Sequence, residues 1–252
     1  MICVLDVDCL LQDYSISNLL NHLDLDVYAI GGRLKTLGDK QNILTYIQSL
    51  EYMRAFNVAR NLCNHLGCNP IISGAYGLFR KEDLSFDTSS VGEDMELVLS
   101  LNERNKKIVY AYDSVCYTRV PTSFKRLLRQ RDRWQRGLLD CLIKHKSLIF
   151  NPKYKYLGLL VLPYIVLFEL LGPIFILLGL VFFNIYVYLF CLLIETIITL
   201  IAEYIEYRNI YILFTKLPEI IIGTFLLSLF SIVLAPIRLY GMITYPKRKN
   251  EW

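Results

Sequence analysis

Apolar and polar positions alternate with short periods over the first 155 residues and then give way to long apolar tracts. Residues 2–7 form a compact apolar run of strand length, and residues 27–32 form a second that a turn should close. Over residues 41–63, Ile43, Ile47, Leu50, Met53 and Val58 recur at helical steps, which predicts an amphipathic helix. Residues 71–79 are broken by Ser73, Gly74 and Gly77, a pattern expected where backbone approaches something closely. Residues 107–117 alternate as a strand. Pro121-Thr122-Ser123 then opens a predicted helix whose Phe124, Leu127, Leu128, Trp134, Leu138 and Leu142 make one apolar stripe. Arg126, Arg129, Arg133, Arg136 and Lys144 fall largely off that stripe, so the helix is expected to lie flat on a membrane surface.

From residue 156 the chain runs for 47 residues with Glu169 and Glu195 as its only charges. About 20 helical residues cross ~30 Å of hydrocarbon, so this tract should hold two crossings that divide near Phe183-Asn184. Residues 217–240 form a third stretch of sufficient length. Buried helices of a large soluble protein are the alternative, but the tracts lack a polar face to cover them. The predicted organisation is a mixed α/β part over residues 1–120, an amphipathic interface region over residues 121–155, and an all-α transmembrane region with a short basic tail over residues 156–252.

Composition sharpens this division. Of 252 residues, 54% are hydrophobic and 20% charged, and a mean hydropathy of +0.39 excludes disorder and disfavours a soluble single domain. The formal charge of +4 hides a net −5 over residues 1–118 and +9 over residues 119–155. A basic block just before an apolar tract points to anionic lipid or phosphate, and its placement disfavours nucleic acid. Its eleven Lys and Arg should stay in the cytoplasm, and Arg238, Lys247, Arg248 and Lys249 ask the same of the C-terminus. Two cytoplasmic ends need an even number of crossings against three apolar segments. Either one segment is re-entrant or split at Pro163, Pro173, Pro218 or Pro236, or the C-terminal charges yield. The opening MICVLDVDCLL lacks a basic leader and carries two aspartates, so no signal peptide is expected. Seven cysteines without a CxxC pair and three histidines without ligand spacing read as buried thiols in a reduced compartment.

Three motifs carry chemistry. Asp6-Val7-Asp8 ends the first apolar run, where a period of two would put both carboxylates on one side. Adjacent carboxylates repel unless a cation lies between them, which suits Mg²⁺ or Mn²⁺ on phosphate oxygens; a surface turn is the alternative. Glu93 and Asp94 follow Gly92 ahead of a helical start, where a carboxylate serves either as a cap or as a general base. Gln130-Arg131-Asp132-Arg133-Trp134 combines donors for phosphate at Arg133 and Gln130 with a flat apolar face at Trp134; lipid headgroup contact is the alternative.

The order of DVD, ISGAYG, GED and QRDRW ahead of membrane helices resembles the processive membrane family-2 glycosyltransferases, with the nearest likeness to bacterial poly-β-1,6-N-acetylglucosamine synthase-like proteins. GGRLK at residues 31–35, EYMRAF at 51–56, VGEDMEL at 91–97 and RQRDRWQRGL at 129–138 carry the likeness, which spans essentially the whole chain. The resemblance implies the C-terminal part of a GT-A domain followed by transmembrane helices. It implies that Asp6 and Asp8 bind Mg²⁺ or Mn²⁺, that Asp94 is the catalytic base with Glu93 beside it, and that Gln130, Arg133 and Trp134 hold diphosphate and acceptor sugar. Ser73 and Gly74 would border the acceptor end. The implied reaction is inverting transfer of a sugar, N-acetylglucosamine first among candidates, from a UDP-sugar donor to a growing β-glycan at the cell membrane. The bilayer and a small accessory membrane subunit are the implied partners.

Two departures stand beside the likeness. The family carries upstream strands and uridine-binding acids, whereas this chain begins just before DVD. The chain is therefore expected to be a C-terminal fragment with an unpaired neighbour position beside its first strand, one that inserts its helices without binding UDP tightly or making polymer alone. Asp87-Thr88-Ser89-Ser90 also stands where relatives have a Gly-Gly-Tyr-like turn. Competing functions are a catalytically silent membrane protein, a transporter using Glu169 and Glu195 as an ion or substrate path, and a synthase of hyaluronan, chitin, cellulose or a lipid-linked sugar.

Overall fold

The structure, a computed structural model, describes residues 1–38, 42–86, 90–182 and 184–248. Five strands form one mixed sheet in the order β1-β4-β3-β5-β2, with β1 at Ile2–Leu5, β2 at Leu10–Leu11, β3 at Val27–Leu37, β4 at Tyr76–Phe79 and β5 at Lys107–Arg119. β4 is antiparallel to both β1 and β3, whereas β3 and β5 run parallel. The first strand stops at Leu5, earlier than the apolar run predicts. Asp6 still donates its N–H to the Ala75 carbonyl (3.1 Å), and the chain then turns through Val7 and Asp8 toward β2. The two aspartates therefore sit in a turn, and the strand-period argument for their common side does not apply. β3 corrects the opposite way. No turn closes it at Gly32, because a register shift against β5 between Gly32 and Arg33 absorbs the irregularity and carries GGRLK onward as strand.

β1 pairs with β4 alone among the described strands, leaving Ile2 at 36% and Leu5 at 42% exposure along that edge. This matches the expected open position beside the first strand. On one sheet face, α1 (Ser15–Asn21) packs Leu19 against Val27, Ile30 and Cys116. On the other, α4 (Glu93–Glu103) buries Leu97, Val98 and Leu101 against Ala29, Phe79 and Ile108. The helix predicted over residues 41–63 is one helical path in three pieces: α2 (Ile43–Arg54), a π-helical turn (Ala55–Ala59) and α3 (Arg60–His65). Asn42 starts it with a capping box, its Oδ1 accepting from the Thr45 N–H at 3.0 Å while Thr45 Oγ1 accepts from the Asn42 N–H at 3.1 Å.

The basic segment forms α5 (Phe124–Lys144), but it is not a one-sided surface helix. Its buried positions include Arg131, Asp132, Gln135, Arg136, Gly137 and Asp140 as well as Leu127 and Leu142. The polar face is buried because both sides of α5 are covered, by the sheet domain and by helices of the apolar region. That region begins with α6 (Leu162–Tyr164) between π-helical turns at Leu157–Val161 and Ile165–Leu170, followed by α7 (Gly172–Val181), α8 (Ile185–Tyr207) and α9 (Ile210–Arg248). Two helices, Ile185–Tyr207 and Ile210–Lys247, are long and apolar enough to cross a bilayer; the pair Leu157–Leu170 and Gly172–Val181, bent by 47°, makes a third if it is one span. The tract from residue 156 divides where expected, with Asn184 Oδ1 accepting from the Tyr186 N–H at 2.9 Å to start α8. Phe183, Lys249 and Asp87 to Ser89 lie outside the described residues. The third stretch exceeds its predicted limits of residues 217–240 because α9 continues through Pro218, Pro236 and Pro246. Prolines are tolerated in membrane helices where Ser and Thr side chains and neighbouring helices satisfy the freed backbone groups.

Tyr76 crosses β3 at Gly32. A Cβ there would lie 2.1 Å from the Tyr76 ring, and Tyr76 is fully buried with its hydroxyl 2.9 Å from Ser114 Oγ. Gly32→Ala should therefore destabilise the sheet domain by about 1–3 kcal/mol, the usual result of overpacking. Denaturant titration in detergent checks this; an unchanged midpoint would show that Tyr76 can move aside.

Candidate active site

The turn between α3 and β4 joins the predicted motifs. Ser73 accepts the Tyr76 N–H on its carbonyl at 3.2 Å and the Ala75 N–H on its Oγ at 3.4 Å, which holds residues 73–76 in a tight bend. On one side of this bend the Ala75 carbonyl takes the Asp6 N–H. On the other, the Gly74 N–H donates to Asp94 Oδ2 at 3.1 Å, and a Cβ at Gly74 would meet Asp94 Cβ at 3.6 Å. Asp6 and Asp94 are thus held by adjacent residues of a single turn. Asp94 Oδ1 accepts from the Met95 N–H at 2.7 Å, so this carboxylate fills a local capping bond as well as facing Gly74.

Electrostatics report the same convergence. Burial raises the Asp6 carboxyl above the ordinary carboxylate range, Asp8 and then Asp94 add repulsion, and Arg133 pulls it back. Glu93 is also raised, first by burial; its own N–H lowers it, Asp94 raises it and Arg133 lowers it. Four carboxylates therefore share one field with one arginine. Among the described residues, no group of three or more His, Cys, Asp or Glu side chains is arranged to hold a metal by itself. A Mg²⁺- or Mn²⁺-type site takes one or two carboxylates and completes its shell with phosphate oxygens and water, a donor number that Asp6 and Asp8 would supply.

Helix α5 supplies the opposite wall. Gln130, Arg133 and Trp134 stand at i, i+3 and i+4 and so share a face. Gln130 Oε1 is buried without a hydrogen bond, and Trp134 is 39% exposed. The Arg131 guanidinium lies 4.4 Å from the Trp134 ring centroid and donates to both carboxylate oxygens of Glu51, at 2.9 and 2.5 Å. Glu51 opens the EYMRAF segment, but the sequence assigns it no role; its pairing with Arg131 supplies one. Gly92 and Gly137 set the approach of α5 to α4, since a Cβ on Gly92 would lie 3.1 Å from Gly137 backbone and one on Gly137 would lie 3.0 Å from Gly92 Cα. The paired glycines allow this close approach, and Arg133 then lies in the field of Glu93.

A second anchor was also invisible in the sequence. Asp140 accepts from Ser90 Oγ at 2.8 Å and Tyr245 Oη at 2.5 Å and pairs with Lys144 at 3.1 Å, tying α9 to the residue just before Val91-Gly92. Glu169 and Glu195, read from sequence as a transport path, pair with Arg238 and Arg54, both at 3.4 Å.

Residues 1–205 match the family described as glycosyl transferase family group 2, and the chain belongs to it. It is 30% identical over 151 residues to hyaluronan synthase 3 of Xenopus laevis and 31% identical over 151 residues to that of Homo sapiens. Each match covers 53% of this chain and 27% of the relative, so the chain spans about a quarter of the length of the curated relatives it matches. Among solved structures it is similar to the mannosyltransferase PcManGT from Pyrobaculum calidifontis in complex with GDP-Man and Mn²⁺, with a TM-score of 0.54 and 14% identity over 97% of this chain and 61% of that one. That likeness establishes the fold, a GT-A-like mixed sheet followed by helices apolar enough to span a membrane.

The Asp140 anchor generates a pH prediction. Burial alone would raise its carboxyl, but hydrogen bonds from Tyr245, Ser90 and Lys144 outweigh it, so the native pKa lies below the ordinary value. The stabilisation is thus fully present above the unfolded carboxylate pKa of ~3.9 and is lost as pH falls through the lower native value. Tyr245→Phe should cost about 1.5–3 kcal/mol at neutral pH, the worth of a hydrogen bond to a charged group. The gap between wild type and variant should close in acid. Denaturant titrations at neutral and acid pH check this, and a gap independent of pH would contradict it.

Proposed function

We propose that the chain contributes the catalytic base, metal site and acceptor platform to an enzyme that performs inverting transfer of a sugar from a nucleotide-diphosphate donor to the end of a growing β-glycan at the membrane. The observation that carries this reading is the turn at residues 73–76, which holds Asp6 through Ala75 and Asp94 through Gly74. A diphosphate beside Asp6 would then lie within reach of an acceptor hydroxyl beside Asp94. In this reading Asp94 takes the proton of the attacking hydroxyl, and Glu93 raises the local negative potential that keeps that proton transfer favourable. Arg133 and Gln130 donate to the diphosphate, and Trp134 stacks on the acceptor ring, its plane braced by Arg131 and Glu51. A divalent ion at Asp6 and Asp8, Mg²⁺ or Mn²⁺, would supply charge neutralisation for the departing nucleotide diphosphate. Direct displacement with one base needs no covalent glycosyl intermediate.

The finer assignment follows the sequence likeness: a UDP-sugar donor, N-acetylglucosamine as the transferred sugar, and a poly-β-1,6-N-acetylglucosamine synthase-like product. Residues 1–120 would form the catalytic part, 121–155 the interface region and 156–252 the membrane region of a multi-pass cell-membrane protein whose catalytic face is cytoplasmic. A small accessory membrane subunit is the proposed partner. The pairing of Glu169 and Glu195 with arginines favours this reading over transport, because neither acid stands as an isolated intramembrane charge.

Radiolabel transfer from a panel of UDP- and GDP-sugars by membranes of cells expressing the protein tests the reading. Asp94→Asn should lower transfer by ~10²- to 10⁴-fold with nucleotide binding retained. Chelation should abolish transfer, and Mg²⁺ or Mn²⁺ should restore it. Transfer at the wild-type rate by Asp94→Asn, or full activity in excess chelator, would reject the assignment.

A further inference from the structure

Beside the turn over Asp94 lies a small pocket that the proposed machinery leaves unused. Gly31 and Gly32 line it together with Arg60, Asn69, Ser73 and Tyr110. Three of its polar groups lack partners. Tyr110 is 5% exposed and its hydroxyl has no hydrogen bond. Asn69 is 2% exposed; its Nδ2 donates to Asn64 Oδ1 at 3.2 Å and the Ile108 carbonyl at 3.3 Å, while its Oδ1 accepts nothing. Arg60 makes no hydrogen bond or ion pair among the described residues, although it lies in the fields of Tyr110 and Asp94. Buried polar groups are rarely left unpaired, and two such atoms, Asn69 Oδ1 and the Tyr110 hydroxyl, lining one pocket beside Arg60 mark a site that awaits a guest.

The guest's chemistry can be read from these groups. Arg60 and the Tyr110 hydroxyl donate, and Asn69 Oδ1 only accepts. A carboxylate or phosphate would satisfy the donors but would face the Asn69 lone pairs without a hydrogen to offer. An ammonium would meet Arg60. The space takes one water-sized group, too little for a sugar ring. A neutral hydroxyl fits all three conditions, because it donates one hydrogen bond, accepts two and is the size of water. Ser73 belongs to both the pocket wall and the turn that holds Asp94, so a group entering here would lie one residue from the Gly74–Asp94 contact.

The geometry points to a specificity subsite in which Arg60, Asn69 and Tyr110 bind one non-reacting hydroxyl of the acceptor sugar. This assignment rests on the glycosyltransferase reading and adds to it a way of choosing and orienting the acceptor. A site that hydrogen-bonds a substrate hydroxyl discriminates against the analogue lacking it, since buried partners are then left unpaired. The anchored hydroxyl would also fix the ring's rotation, so that a second hydroxyl meets Asp94.

The test is a cycle between protein and ligand. Binding of a β-linked N-acetylglucosamine disaccharide, and of analogues lacking one hydroxyl of the terminal ring, is followed by tryptophan fluorescence in Trp252→Phe protein, where Trp134 alone reports. Tyr110→Phe deletes one oxygen and keeps the ring that packs 6.3 Å from Phe56, so the fold should persist. One deoxy analogue should bind wild type about tenfold more weakly than the parent, the usual worth of one hydrogen bond. That penalty should vanish in Tyr110→Phe and shrink in Arg60→Gln, while the other analogues lose equally in all proteins. Penalties that are identical in wild type and variants would overturn the subsite and leave the three groups to a structural water. If wild type binds no disaccharide while the variants behave alike, the acceptor reading itself fails, which is a different result.

Discussion

Helix α5 buries charge, and the rest of the architecture follows from how that charge is paired. An ion taken out of water costs several kcal/mol unless a partner and good geometry offset it. Arg131 is held by Glu51 of α2, Asp132 lies 3.4 Å from Arg136, Gln135 accepts from Arg238 of α9 at 2.9 Å, and Asp140 takes Tyr245 of α9. The Asp132–Arg136 pair is internal to α5, whereas the others reach α2 through Glu51 and α9 through Arg238 and Tyr245. The helix can satisfy all of them in one position only, between the sheet domain and the apolar helices, so its buried polar face acts as a register device.

That position decides what Trp134 and Arg133 face. The glycine contact at Gly92 and Gly137 closes α5 onto α4, while Ser90 and Asp140 hold the segment before it. The apolar helices reach the sheet domain by similar means. Glu206 of α8 accepts from Arg33 and Lys35 of β3 and from Asn57, and Glu195 pairs with Arg54 and accepts from Ser228. Acidic residues in an otherwise apolar tract thus serve as attachment points between the two parts of the chain.

How much of this was legible beforehand depends on the range of the interaction. Strand and helix positions came from local periodicity, and the joint order of DVD, ISGAYG, GED and QRDRW led to the family. Errors arose where nonlocal contacts override a local pattern. The period-two argument for Asp6 and Asp8 fails because the chain turns after Leu5, and the turn expected after Gly32 is replaced by continued strand because a shift against β5 absorbs the irregularity. The stripe on α5 buries Leu127 and Leu142, but a sequence holds no record of what covers the other side, so the periodicity alone predicts a helix lying flat on a membrane. Asp140 and Arg60 carry no motif, and Glu51 no assigned role within EYMRAF; all three acquire meaning only from partners, or missing partners, far along the chain.

The central claim is that the aspartate pair and the α5 platform share one site. Protein carrying 5-fluorotryptophan has two fluorine resonances, from Trp134 and Trp252, assignable with Trp252→Phe. Titration with Mn²⁺ and UDP in detergent, with Mg²⁺ as the diamagnetic control, measures whether the bound ion lies near Trp134. The account predicts selective broadening of the Trp134 resonance that chelator reverses and that Asp6→Asn with Asp8→Asn removes. A Trp134 resonance indifferent to bound Mn²⁺, or broadened equally in the aspartate variant, would contradict it.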